Sequence, residues 1–270
     1  MIDCARGNKQ RTQPPRTPHR GQRDDPNLSF LLITMSRQQE LQGLAYVVFG
    51  ATGAVGKACV SRLLASDSKD VSKIFTVGRR KASVGTDERL TEIIVESLEG
   101  IDTNEDVEGQ IKGKVDVALC CLGTTRKDAG SAANFKAVDV EYVGACARLA
   151  KGVGARSFGL ISAQGANKNI WANDMKLFHG LLYAKSKGIA EEMVKNLGFP
   201  YTAILRPGLM ERGDVARFGE KLGSWILPSV SVEQVAKTVI GATSEGARQQ
   251  THGKEPVVDT MEMRDISSFM

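Results

Sequence analysis

From Tyr46 onward the chain alternates short apolar runs with stretches in which apolar residues recur at helical spacing. The runs predict strands near 46–50, 74–78, 92–95, 115–121, 157–162, 201–206 and 256–259, and the periodic stretches predict helices near 54–65, 134–152, 183–197 and 232–243. Strand and helix in regular alternation is the pattern of repeated βαβ units, which build a parallel sheet. Right-handed crossovers then place helices on both faces of that sheet. The expected fold is therefore α/β, a doubly wound parallel sheet of Rossmann type, forming a single domain over residues 41–270. Neither an internal repeat nor a second hydrophobic core is visible.

Residues 1–40 break the pattern. They are polar, with Pro14, Pro15, Pro18 and scattered arginines, and cannot bury enough surface to order themselves, so they predict a disordered extension. The prolines and Asp24-Asp25 spoil the acid-poor amphipathic helix of a mitochondrial presequence, which favours a cytoplasmic location over a mitochondrial one. Met35 stands just ahead of the first strand and offers an alternative start of translation.

The chain carries a net charge of +5, and six basic against three acidic residues in positions 1–34 account for +3 of it. The remainder is too evenly charged for a nucleic-acid-binding face, which gathers Lys and Arg on one folded surface. At 41% hydrophobic the composition is that of a soluble globular chain, and no apolar stretch approaches the ~18–20 residues of a membrane span. Cys4, Cys59, Cys120, Cys121 and Cys146 form no Cys-x-x-Cys pair and read as reduced core thiols. His19, His179 and His252 lack metal-ligand spacing, so no metal site is expected.

Candidate chemistry begins at Gly50-Ala-Thr-Gly-Ala-Val-Gly56, which follows the strand Ala45–Phe49 and opens a helix. Glycines let the backbone turn sharply and approach a pyrophosphate, whose charge then rests on the unpaired N–H groups of the helix start. Gly50, Thr52, Gly53, Ala54, Val55 and Gly56 are the candidate contacts, and a dinucleotide is the expected ligand. The second strand runs into Arg79-Arg80-Lys81, where an acid would select NAD and an arginine pairs with the 2′-phosphate of NADP. Asp70 has the spacing of that acid but precedes the strand and falls at its wrong end. Against the NADPH reading of Arg79 and Arg80 stands that of a solvated basic turn.

The fourth strand leads into Leu122-Gly-Thr-Thr-Arg126, with Leu122, Gly123, Thr124 and Thr125 placed either to meet ribose and phosphate or to form a simple strand-ending turn. Tyr183 and Lys187 lie four apart on a predicted helix and project from one face. A phenol beside an ammonium is the arrangement for proton transfer near neutral pH. Tyr46, Tyr142 and Tyr201 have no lysine at that spacing. Ser162 ends the fifth strand, where its hydroxyl either orients a substrate carbonyl or caps the strand end; the company of Tyr183 and Lys187 favours the first. Arg206-Pro207-Gly208 ends the sixth, bordering a nicotinamide ring or forming a structural turn.

Together the glycine loop, Gly78-Arg-Arg-Lys81, Cys120-Cys-Leu-Gly-Thr-Thr-Arg126, Ser162, Tyr183-x-x-x-Lys187 and Arg206-Pro-Gly208 resemble the atypical short-chain dehydrogenases, and within them the Tat-interacting protein (CC3) family. The resemblance covers about residues 44–265. It implies an NADPH-binding domain in which Tyr183 protonates a carbonyl oxygen, Lys187 holds the nicotinamide ribose and Ser162 positions the substrate. The family's second serine after strand five is Ala163 here, and Gln164–Leu182, with Trp171, Met175, Phe178 and His179, is a longer segment that forms either a substrate wall or a surface insertion. Residues 209–231, with Met210, Phe218, Trp225 and Ile226, are placed to cover the pocket.

Two functions follow. One is an NADPH-dependent reductase of an unidentified small carbonyl compound; the other is an NADPH-binding regulator that acts through protein partners without turnover. Neither substrate nor oligomeric state is written in the sequence.

Overall fold

The computed structural model describes residues 43–171, 179–211, 229–249 and 255–269. These lie in one compact unit, Glu40–Met270. The expected extension over 1–40 lies outside the described residues, as do Met175, Phe178, Phe218, Trp225 and Ile226.

In chain order the elements are β1 (Leu44–Phe49), α1 (Ala54–Leu64), β2 (Val71–Gly78), β3 (Leu90–Ile94), a 3-10 turn (Ile101–Thr103), α2 (Glu105–Ile111) and β4 (Val117–Cys120). There follow α3 (Arg126–Ala129), α4 (Ala132–Lys136), a π-helical turn (Ala137–Tyr142), α5 (Val143–Gly152), β5 (Ser157–Ile161), α6 (His179–Asn196) and β6 (Tyr201–Arg206). Last come β7 (Leu209–Glu211), β8 (Ser229–Ser231), α7 (Val232–Gln249), β9 (Val257–Glu262) and α8 (Met263–Ser268). The main sheet has seven strands in the order β3-β2-β1-β4-β5-β6-β9, all parallel. Its first six positions follow the Rossmann order, with the chain reversing direction of winding between β1 and β4.

Successive side chains of a strand point to opposite faces, and the two cores follow that alternation. Val47, Phe49, Phe158 and Leu160 pack beneath α2, α5 and α6, whereas Tyr46, Val48, Ile74 and Leu119 pack against α1 and α7. Both faces of β1 are thus covered, which is why all six of its residues are buried. The register aligns Phe49 with Val77 and Cys120, and Cys120 with Leu160. The carboxyl ends of β1, β2, β4 and β5 therefore finish level, and the loops that follow them meet at one edge of the sheet.

The single helix expected over 134–152 is built as α4, the π turn and α5, the widened turn shifting the phase of the helix that follows it. Helix α2 falls outside the expected helices. Asn104 caps it, its side chain accepting from the Val107 N–H at 3.0 Å, but with two buried residues, Val107 and Ile111, its periodic signal is short. Helix α6 begins at His179 rather than 183, and α7 runs to Gln249 rather than 243. The small β7–β8 pair and α8, closed by a reciprocal capping box between Glu262 and Asp265, were also outside the expected elements.

Candidate cofactor and active site

The glycine loop is shaped by backbone contacts. Gly50 has φ +79°, and a Cβ there would stand 2.9 Å from the carbonyl carbon of Cys121. A Cβ on Gly56 would meet the Gly50 oxygen at 2.2 Å, so α1 rests directly on the loop. Only glycine satisfies both positions. Gly53 is the N-cap of α1 and supplies no side-chain cap, and the first turn carries no acid. The N–H groups of that turn have no partner within the helix and face the carboxyl edge of the sheet, a ready anion site.

Two clefts open at this edge. A small one, about 80 Å³, is bounded by Gly50, Thr52, Gly78, Arg79, Arg80 and Tyr142. Both arginines are exposed at the end of β2. Asp70 stands immediately before β2 at the other edge and pairs with Arg248 at 3.3 Å. The larger cleft, about 390 Å³, runs from Gly53, Ala54 and Val55 past Cys121–Thr125 to Ser162, Tyr183, Lys187 and Gly208–Met210. The residues expected to carry proton transfer thus line one cavity. Gly56 lies buried beneath the loop, and neither Arg206 nor Pro207 lines either cleft.

Helix α6 presents Tyr183 and Lys187 on the cleft side. The Tyr183 ring, half-buried, packs with its centroid 6.1 Å from that of Phe135 on α4. Lys187 is buried, and its Nζ stands 2.9 Å from Asp139 Oδ1. It also donates to the backbone oxygens of Leu122 at 3.3 Å and Ile161 at 3.4 Å. Burial alone would draw the ammonium's pKa down, but the charge of Asp139 and the nearby Tyr183 outweigh it, and the net direction is upward. Asp139 comes from the π turn, and its other oxygen accepts the Thr124 N–H at 2.9 Å.

Ser162 donates its hydroxyl to Glu191 Oε1 at 2.6 Å. Glu191 is in turn gripped by Arg206, whose Nε and Nη2 donate at 2.8 and 2.6 Å, and Arg206 reaches Glu262 at 3.0 Å. Hydrogen bonding to Glu191 moves Arg206 further above its usual range, so it is a fixed cation. A hydroxyl has one proton to give, and that of Ser162 is committed. The Thr125 hydroxyl accepts the Asp128 N–H at 3.1 Å and closes the first turn of α3.

Sequence reasoning passed over Asp139, Glu191 and Glu262. Each is a carboxylate in an otherwise ordinary stretch, and its partner is brought near only by the fold. Among the described residues no cluster of His, Cys, Asp or Glu has the make-up of a metal site. Burial pushes the Cys120 thiol up to about 12, and a hydrogen bond with Cys59 together with burial pushes Cys121 up as well. Both are protonated thiols at neutral pH. No described helix is long and apolar enough to cross a membrane.

A glycine-turn phosphate site at the carboxyl edge of a doubly wound sheet defines a dinucleotide-binding protein of Rossmann type. A family model described as NAD(P)H-binding matches residues 50–245, and the chain belongs to that family. It is 35% identical over 198 residues to "Protein FMP52, mitochondrial" of Lodderomyces elongisporus, covering 67% of this chain and 78% of the relative. "Protein HTATIP2" of Rattus norvegicus is 31% identical over 179 residues, covering 66% and 68% respectively. The resemblance to the CC3 family is thereby borne out. Among solved structures, a short-chain dehydrogenase family protein from Francisella tularensis superposes with a TM-score of 0.59 at 14% identity, over 83% of this chain and 98% of that one. Bordetella bronchiseptica WbmF in complex with NAD+ does so at 0.57 and 15% identity, over 83% and 74%.

Proposed function

We propose that the protein is an NADPH-dependent reductase of a small carbonyl compound. The observation that carries the reading is the convergence of Tyr183 and Lys187 on one cleft that begins at the N-terminus of α1, with Arg79 and Arg80 on the adjoining cleft. The free N–H groups of α1 and the tight loop that Gly50 shapes, with Gly56 seating α1 against it, fit a pyrophosphate. Arg79 and Arg80 fit a 2′-phosphate beyond it. When bound, the dinucleotide supplies hydride.

The chain's own residues do the rest. Tyr183 donates a proton to the substrate oxygen from its phenol hydroxyl, and Lys187 holds a positive charge one helical turn away. Ser162, its proton given to Glu191, offers lone pairs to the cleft and holds a ligand group that donates. Leu209 and Met210 wall off water beside Gly208. The cofactor performs the chemistry and the protein supplies orientation and proton transfer.

A regulatory protein that binds NADPH without turnover is the second reading. One observation favours it: the Ser162 proton is given to Glu191, and the Lys187 ammonium is paired with Asp139 and donates to two backbone carbonyls, all within the protein. NADPH consumption over a panel of aldehydes, ketones and quinones, with wild type beside Tyr183→Phe, separates the two. The printed names of the fungal relatives assign those proteins to mitochondria. We extend that location to this chain, ahead of the cytoplasm expected from its sequence.

A further inference from the structure

Lys187 is enclosed from three sides. Asp139 Oδ1 stands 2.9 Å from its Nζ, and the carbonyls of Leu122 and Ile161, at the ends of β4 and β5, accept at 3.3 and 3.4 Å. The ammonium thus has one short ionic contact and two longer hydrogen bonds to neutral carbonyls. Side-chain exposure is 4% for Lys187 and 0% for Asp139, and the pair is fully withdrawn from solvent. Asp139 Oδ2 meanwhile accepts the backbone N–H of Thr124, in the loop that walls the same cleft. A single carboxylate therefore fastens both the lysine and the loop.

It projects from the π turn between α4 and α5, a local widening of the helix that occurs mostly at functional sites. The other ionisable groups facing Lys187 are Tyr183, one turn earlier on α6, and the thiols of Cys120 and Cys121 on and after β4. Both thiols are held neutral, by burial and by the Cys59 contact. Glu191, one turn further along α6, is occupied by Arg206 and Ser162. Asp139 is thus the counter-ion of Lys187.

We propose that Asp139 is a positioning residue for Lys187, keeping the ammonium charged and seated at the cleft wall so that the cation facing a bound dinucleotide stays constant as the solution turns alkaline. Without the carboxylate, burial acts on the lysine unopposed, and full burial disfavours a charged amine by up to ~3–5 pH units. The consequence for cofactor rests on the reading given above. The state of Lys187 does not.

The test is made on the full chain with carbon-13 at the lysine ε position, without cofactor, the Lys187 signal being identified by its loss in Lys187→Arg. The proposal expects wild-type Lys187 to titrate above the ordinary 10.5. In Asp139→Asn the midpoint should fall by at least about one unit, within the range that burial commands. A wild-type midpoint below the ordinary value, or the same midpoint in both proteins, overturns it. If Asp139→Asn does not fold, the wild-type titration decides.

A second readout is NADPH affinity about one pH unit below and about one unit above the Lys187 midpoint measured in Asp139→Asn, where losing one cation at the cleft wall is read as a fold-change. Between those two pH values wild type should change less than about threefold, Asp139→Asn should lose more than that, and Asp139→Asn with Lys187→Arg should return to a flat profile because a guanidinium stays charged. Equal loss in Asp139→Asn at both pH values marks a merely structural role and overturns the proposal. Failure of wild type to bind NADPH at either pH refutes the cofactor reading and leaves the lysine titration to judge this one.

Discussion

Replacing Glu191 by glutamine tests the polar chain beneath Ser162. The carboxylate accepts three bonds, from Ser162 Oγ at 2.6 Å and from Arg206 Nε and Nη2 at 2.8 and 2.6 Å, with its side chain 3% exposed. An amide of the same shape keeps one acceptor oxygen but turns an N–H₂ toward the guanidinium. Breaking a buried ion pair by removing one charge costs about 3–5 kcal/mol. Arg206 is 23% exposed and retains Glu262, so the lower end, about 3 kcal/mol, applies. At ~2–4 °C per kcal/mol for a domain of this size, Tm should fall by about 6–12 °C.

The companion variant is Glu262→Gln. That carboxylate is 48% exposed, an exposed ion pair contributes about 0–1 kcal/mol, and its Tm should drop by no more than about 4 °C. Thermal melting followed by circular dichroism near neutral pH reads both. A Glu191→Gln protein melting within about 2 °C of wild type, or a Glu262→Gln loss as large, would refute the reasoning.

Two further outcomes concern the cofactor. Arg79→Ala with Arg80→Ala should lower NADPH affinity at least about tenfold by calorimetry while leaving NADH affinity within about twofold, since hydrogen bonds to charged groups contribute about 1.5–3 kcal/mol each; equal losses for both cofactors contradict the 2′-phosphate assignment. Gly56→Ala drives a Cβ to within 2.2 Å of the Gly50 backbone oxygen and 2.8 Å of Ala51 Cα, so it should destabilise by about 1–3 kcal/mol in chemical denaturation and weaken dinucleotide binding. Gly53→Ala, whose nearest atom is at 3.4 Å, should cost little by the same assay.

What the sequence discloses is the part of the structure that depends on local pattern. The apolar run Ala45–Phe49 followed by glycines locates β1 and the phosphate turn, because a strand buried on both faces and a φ of +79° each restrict which residues can stand there. Tyr183 and Lys187 are legible because helical spacing alone puts them on one face. Glu191 and Glu192 show where legibility stops. They are adjacent and identical, yet Glu191 is buried on Ser162 and Arg206 while Glu192 pairs with Lys168 at an exposed surface. The 100° between neighbours on a helix decides it, and which side is inward depends on how α6 sits on β5 and β6. Asp139 is hidden twice over, since the π turn shifts the helix phase and its partners lie on α6 and after β4.

The central claim is tested most directly by steady-state NADPH oxidation beside equilibrium NADPH binding, for wild type and Tyr183→Phe, with the best carbonyl substrate from the panel. Removing the phenol hydroxyl and keeping the ring should leave binding within about threefold and lower turnover by about two to four orders of magnitude. Full turnover in the phenylalanine variant, or no turnover by wild type on any carbonyl compound, would contradict it.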